Sequence, residues 1–210
     1  MSGARSAAPG VEHEASRIRI LRAAAEVAAE AGYEGASISK ITKRSGLPAS
    51  SVYWFFKDKE QLMAEVIRHS FAEWNETQPR WEHAEWDSRP IGEVARSILA
   101  RSIRSLADGP AFLRIGHMLL LQGRDVEPEA RQWFLAVRAE TEREITSWVE
   151  SYLGPEVVAG DPGLARSLAR IVLAATDGAF LAGQAGMPYE PDHFAELIAS
   201  TVESAIARHS

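Results

Sequence analysis

The sequence predicts an all-α fold of about nine helices, with a three-helix helix-turn-helix head at the N-terminus and a larger helical bundle behind it. Three observations carry this expectation. Apolar residues keep helical spacing in segment after segment from Ile18 to Ile206. Between Ser37 and Leu62, two helical pieces too short to bury themselves are separated by Gly46, Leu47 and Pro48. After Arg170 the chain runs IVLAATDGAFLAGQAGMP, a helix apolar enough to demand cover on all sides.

Composition narrows the classes. An apolar content of 46% over 210 residues supports a real core. A formal net charge of −6 argues against a protein that coats nucleic acid without regard to sequence. Without cysteine there is no disulfide or thiolate chemistry. The first 15 residues mix Gly, Ala, Ser, Pro and charges and read as a flexible tail rather than a signal peptide. The expected organisation is a tail over 1–15, the head over 16–60 and the bundle over 61–210, in a cytoplasmic protein.

Helix 1 is expected from about Ser16 to Ala31, stopped by Gly32, with Ile18, Leu21, Ala25 and Ala28 on one face. Its Arg17, Arg19 and Arg22 lie near its start, where they could reach a DNA backbone, although exposed arginines on a helix are commoner than phosphate clamps. Ser37 can cap the next helix, whose Ile38 and Ile41 share a face, and Gly46 supplies a permissive turn position. Pro48 suits the first turn of the following helix, which ends near Phe55. Its outward residues Ala49, Ser50, Ser51 and Tyr53 are small or hydrogen-bonding, as a face that approaches base edges must be. Residues 37 to 59 carry five cations, Lys40, Lys43, Arg44, Lys57 and Lys59, against the single anion Asp58. A basic island on an acidic chain points to a polyanionic partner, although such clusters are more often solvated surface.

Asp58 opens helix 4, with Gln61 placed to complete a capping box. Its stripe of Leu62, Met63, Val66, Ile67, Ser70, Phe71 and Trp74 is long enough to pack on two things in succession. Asn75 to Arg89 breaks the periodicity and reads as an irregular connection anchored by Trp81 and Trp86. Pro90 starts a helix that ends at Asp108-Gly109-Pro110. Phe112 to Gln122 is apolar on nearly every side and reads as a buried central helix. Glu127 to Leu153 is amphipathic, with Phe134, Val137, Ile145 and Trp148 inward, closed by Gly154-Pro155. The apolar stretch within Leu164 to Met187 is interrupted by Asp177, Gln184 and glycines, which argues against a membrane span. The stripe Phe194, Leu197, Ile198, Val202 is too little to cover it, so a second copy of the chain is the simplest remaining cover.

The string from Val52 to Leu62, VYWFFKDKEQL, resembles the end of the DNA-binding domain of the TetR family of bacterial transcriptional regulators. Tyr53, Phe56, Lys59 and Leu62 stand at that family's tyrosine, apolar, lysine and leucine positions, and Gly32-Tyr33, Ile41 and Gly46 match upstream. The resemblance covers roughly residues 16 to 70. Phe55 stands where the family often has histidine, and Thr42 where it has alanine. The resemblance implies a homodimer on double-stranded operator DNA, with the last two helices forming a four-helix dimer interface.

The leading expectation is therefore a ligand-responsive regulator, a repressor on a palindromic operator, released by a small apolar or amphipathic effector. DNA contacts are expected from Ser37, Ser39, Lys40, Pro48, Ala49, Ser50, Ser51, Tyr53, Trp54, Lys57 and Lys59, with Tyr53 and Lys59 on phosphates. The effector is expected among Trp81, Phe112, His117, Met118, Trp133, Val137 and Phe180, and the dimer through Leu168, Ile171, Ala175, Ala182, Phe194, Leu197, Ile198 and Val202. Two rival classes remain. An enzyme using His117 and Asp177 lacks any paired acid and base, and a ligand-binding scaffold would turn its head to protein rather than DNA. No cofactor and no metal site are expected, because the six histidines lie scattered without ligand spacing. His117 reads more readily as a hydrogen-bonded core histidine than as a ligand contact. Asp177 needs a partner, either an arginine across the dimer or a bound small molecule.

Overall fold

In a computed structural model the described residues are 9–78, 89–106, 109–121, 129–187 and 189–209, with side chains described from Glu12 onward. Among them the chain forms ten helices and no strand: α1 (Pro9–Gly35), α2 (Ile38–Ser45), α3 (Ala49–Phe55), α4 (Lys59–Asn75), α5 (Ile91–Leu106), α6 (Ala111–Leu121), α7 (Glu129–Glu150), α8 (Pro155–Gly160), α9 (Leu164–Gln184) and α10 (Pro191–Ala207). Ten agrees with the expected count of about nine, the additional helix arising because Gly154-Pro155 does more than close α7. Gly154 is the N-cap of the short α8, and Pro155 stands in its first turn, where a missing N–H is harmless. Helix α1 also begins at Pro9, so part of the segment expected as a tail is helical. Gly32 breaks the helix as expected, at φ 75 and ψ 171. Trp81 and Trp86 lie outside the described residues.

The chain divides into two compact units, Met1–Asn75 with Pro110–Leu135, and Glu76–Gly109 with Ala136–Ser210. In the first, α1 packs on α2, α3, α4 and α6, and α4 also packs on α6. Its core joins Ile20, Leu21 and Val27 of α1 to Tyr33, Ile41, Val52, Phe56, Leu62, Ile67, Ile115 and Phe134, all essentially inaccessible to water. Burying that many large side chains, at roughly 1.5–3 kcal/mol each, is what lets an α2 of 8 residues and an α3 of 7 exist at all, since neither is long enough to be stable alone. A Cβ on Gly116 would collide with the Phe134 ring, so this glycine sets how closely α6 approaches the start of α7.

In the second unit α5 lies along α10, and a Cβ on Gly92 would meet the Glu203 carboxylate. Ile98, Leu99, Ile103, Ile145, Val149, Leu168, Val172, Ile198 and Val202 form its core. Arg96 pairs with Glu196 and Arg104 with Asp192, tying α5 to α10 at the surface. Asp177 meets Arg138 of the same chain through two hydrogen bonds, 2.9 and 2.5 Å long. A partner arginine across a dimer is therefore not needed to satisfy it. No helix among the described residues is long and apolar enough to cross a membrane.

Candidate nucleic-acid interface

The head is built by local geometry that the sequence encodes directly. Ser37, in extended backbone, accepts from the Lys40 N–H at 3.3 Å and starts α2. Gly46 ends α2 in the left-handed region, φ 65, and its N–H closes on the Thr42 carbonyl. Pro48 is the N-cap of α3 rather than its first residue, at φ −68 and ψ 157. Thr42, unusual at that position, is satisfied by donating to the Ser39 carbonyl at 2.9 Å. Phe55 packs edge-on against Trp54, with ring centroids 4.6 Å apart.

The result is an α3 with one buried anchor, Val52, and an outer face formed by Ala49, Ser50, Tyr53 and Trp54, with Ser51 half-buried at its edge. Tyr53 is 57% and Trp54 67% exposed, a large aromatic surface for a helix of 7 residues. Ser37, Ser39, Lys40 and Pro48 are also exposed and belong to the same helix-turn-helix. The His13 ring in the early part of α1 stands 4.9 Å from Trp54, a contact that no local spacing signals.

The cations divide into free and committed groups. Lys43 and Lys57 are exposed and take part in no ion pair among the described residues. Lys40 donates to the Gly35 carbonyl at 2.9 Å. Arg44 is neutralised by Glu30 and Glu26 of α1, at 2.7 and 2.9 Å. Those hydrogen bonds, to Glu30 first, raise the Arg44 pKa above its ordinary value, and the bond from Arg44 lowers that of Glu30. Lys59 departs from its expected outward course. Its ammonium donates to the Glu34 carbonyl at 3.2 Å, lies 3.8 Å from the Glu34 carboxylate and sits 5.0 Å from the Tyr33 ring centre. A lysine in the first turn of α4 opposes the helix dipole, and these contacts draw its charge back toward the α1–α2 junction. The α4 cap forms as expected, Asp58 accepting from the Gln61 N–H at 2.9 Å, but Gln61 returns to the N–H of Lys57, at 2.7 Å.

Two pairs reach from α1 to α4: Arg17 to Glu65 at 2.7 Å and Arg22 to Glu73 at 3.5 Å. Tyr33 adds a hydrogen bond to Glu60 at 2.6 Å. Farther along α4, Arg68 bridges Glu65 and Glu129. Burial works against its charge, and the bonds to Glu129 and then Glu65 outweigh it, so its pKa is raised.

The expected pocket residues divide between the two units. Phe112, His117, Met118 and Trp133 belong to the first unit, Val137 and Phe180 to the second, and Trp81 lies outside the described residues. Within the first unit Phe71 centres an aromatic wall: Phe112 at 5.3 Å, Trp133 at 5.5 Å and Trp74 at 6.2 Å, with Trp74 also 5.2 Å from Phe112. Ser70 caps the start of α6 by accepting from the Phe112 N–H at 3.1 Å. The His117 Nδ1 is 2.8 Å from the Leu113 carbonyl, and a nitrogen facing a carbonyl must donate, so Nδ1 carries a proton. Helix α6 is less enclosed than expected, because Leu121 is 86% exposed.

The expected dimer residues also divide. Leu168, Ile198 and Val202 are buried in their own unit, so their stripe fills this fold and is not open to a partner. Ile171 and Leu197 are exposed, joined by Leu181, while Ala175, Ala182 and Phe194 are half-buried. Sequence periodicity locates the helices but does not tell which of two apolar faces is already covered.

Among the described residues no cluster of metal-binding side chains occurs. Residues 20–66 match the family model for bacterial regulatory proteins of the tetR family. A fatty acid metabolism regulator protein of Bacillus subtilis is 34% identical over 59 residues, 28% of this chain and 30% of that protein, so the alignment spans under a third of the relative's length. Solved structures share the fold at greater length. FadR of Bacillus subtilis, solved in complex with stearoyl-CoA, superposes with a TM-score of 0.67 at 19% identity, covering 90% of this chain and 98% of that one. AibR, solved with isovaleryl coenzyme A and operator DNA, gives 0.59 at 18% identity, covering 90% and 96%.

Proposed function

We propose that this chain, whose residues 20–66 match the tetR family model, is a ligand-responsive transcriptional regulator that binds a palindromic operator as a homodimer. The outer face of α3 carries the reading. Ala49, Ser50 and Ser51 are small enough for close approach to base edges, and Tyr53 and Trp54 flank them with exposed ring surface that nothing in the head covers completely. An α-helix fits the major groove of B-DNA, and hydroxyls serve either donor or acceptor edges there. Lys57 and the Tyr53 hydroxyl suit phosphates, which fix register without reading sequence.

Operator binding by two heads requires a fixed separation between them, which the exposed stripe Ile171, Leu181 and Leu197 supports as the dimer contact. The effector is amphipathic, and its apolar part lies against Phe71, Phe112 and Trp133 in the first unit. The acyl-CoA ligands named for FadR and AibR support that chemical class. Helix α4 starts at the Asp58 cap beside α3 and ends at Trp74 in the aromatic wall, so one helix links ligand to head. Tilting it alters the spacing of the recognition helices and releases DNA, which makes the regulator a repressor, acting in the cytoplasm. A coupling of about 1–3 kcal/mol suffices, and linkage requires operator to weaken effector affinity by the same factor.

Selection of bound sequences from a random DNA pool tests the reading. The expected product is a two-fold-symmetric site with half-sites about one helical turn apart and steeply salt-dependent binding. A pool with no enriched sequence, together with salt-independent binding, leaves the head to a protein partner.

A further inference from the structure

We infer that Arg19, on α1, is a further backbone-phosphate contact of the head, held over the turn that leads into the reading helix. This rests on the DNA-binding reading above and adds to it a residue outside the helix-turn-helix.

The arginines around the α1–α2 surface are not equivalent. Arg17 and Arg22 are drawn to Glu65 and Glu73 of α4, and Arg44 is held by Glu26 and Glu30. The Arg19 guanidinium takes part in no hydrogen bond or ion pair among the described residues. Its position is nonetheless defined, because a Cβ on Gly46 would stand 2.7 Å from an Arg19 guanidinium nitrogen. The guanidinium therefore lies on the bare backbone of the turn. Just beyond that turn, Pro48, Ala49 and Ser50 present the exposed start of α3.

Arg19, Arg22 and Arg44 line one open groove of about 540 Å³ between α1 and α2, in which Glu26 is the carboxylate and is already engaged by Arg44. The groove thus contains a guanidinium whose donors have no protein acceptor among the described residues. A guanidinium fork matches the oxygens of a phosphate, and a duplex seated on α3 carries a phosphate every few ångströms along each strand. Glycine at position 46 has a second consequence. Any larger residue would push Arg19 off the turn, so the same residue that permits the left-handed φ of 65 also leaves room for the cation.

The test measures operator affinity against potassium chloride concentration for the full-length protein, with Arg19→Ala, Arg19→Lys and Arg22→Ala. Circular dichroism confirms that each variant keeps its helix content. Arg19→Ala is expected to lower the slope of log affinity against log salt by about 0.9 per head, and to weaken binding roughly tenfold per head near 0.1 M salt. Arg19→Lys retains the slope, and Arg22→Ala changes it less than Arg19→Ala. Weaker binding at an unchanged slope would make Arg19 a packing residue of the turn. Equal losses from Arg19→Ala and Arg22→Ala would reduce the effect to general charge, and an unchanged affinity would remove Arg19 from the interface; each result overturns the inference. Wild-type protein that shows no salt-dependent, sequence-selective binding fails the broader reading instead.

Discussion

The α2–α3 face and the α9–α10 face are both exposed, yet they leave opposite chemistry in water. On α3 the exposed residues are alanine, serine and two aromatic rings, held by a single buried valine, with Lys43 and Lys57 at the margins. On α9 and α10 the exposed residues include Ile171, Leu181 and Leu197, beside small Ala174, Gly178 and Ser200. The first face offers hydrogen bonds and charge to a hydrated polyanion. The second offers apolar area and close backbone approach to another helix. Exposure alone does not distinguish a partner; the chemistry of what is left exposed does.

The sharpest break of that comparison is to place charge on the apolar face. Ile171→Glu with Leu197→Glu should leave each chain folded, since both side chains are already in water, but yield monomers by sedimentation. Operator affinity should then fall toward the non-specific level, about 10³-fold or more. An intact dimer would move the interface elsewhere. Leu168→Glu, one turn before Ile171 but buried, should instead unfold its unit, because an unpaired charge in an apolar core costs several kcal/mol.

On the other face, Lys57 and Lys59 make a pair two residues apart with different expected roles. Lys57→Ala should reduce the salt slope by roughly one per head, whereas Lys59→Ala should change it less and lower thermal stability more, because Lys59 is engaged with Tyr33 and Glu34. Equal slope changes would show that Lys59 leaves those contacts when DNA arrives.

That contrast also marks what is legible in the sequence. Everything set by short-range geometry can be read: the Ser37 cap, the Gly46 turn, the Asp58 cap and the order of small residues on α3. Lys59 escapes such reading because its carbonyl partner lies 25 residues upstream, and Arg44 because Glu26 and Glu30 lie on another helix. Side-chain charge balance at a surface is a long-range property that local spacing does not encode. The same holds for α10, where Leu197 and Ile198 are adjacent in one apolar run and only the packing of α5 decides which is covered. His117 is legible as a hydrogen-bonded histidine, since a helix supplies a carbonyl one turn back.

Two smaller effects refine the picture of the head. Asp58→Ala removes the α4 cap and should cost about 1 kcal/mol in denaturant unfolding, with no change of sequence preference. Glu30→Gln probes the bond to Arg44. The folded pKa of Glu30 is lowered, so its contribution is present above the ordinary carboxylate range and is lost as pH falls through the lowered value. The melting-temperature difference between wild type and Glu30→Gln should be small at neutral pH and vanish on acidification. A difference that grows toward low pH would contradict the pairing.

If the outer face of α3 reads bases, changing one residue of that face changes the sequence it selects. Asn presents both a donor and an acceptor and pairs with the major-groove edge of adenine, which serine matches only singly. Sequence selection from a random pool, repeated with Ser50→Asn, should give the same two-fold-symmetric site with a new base preference at one position in each half-site. An identical selected sequence for wild type and variant would contradict the claim and place the reading elsewhere on the head.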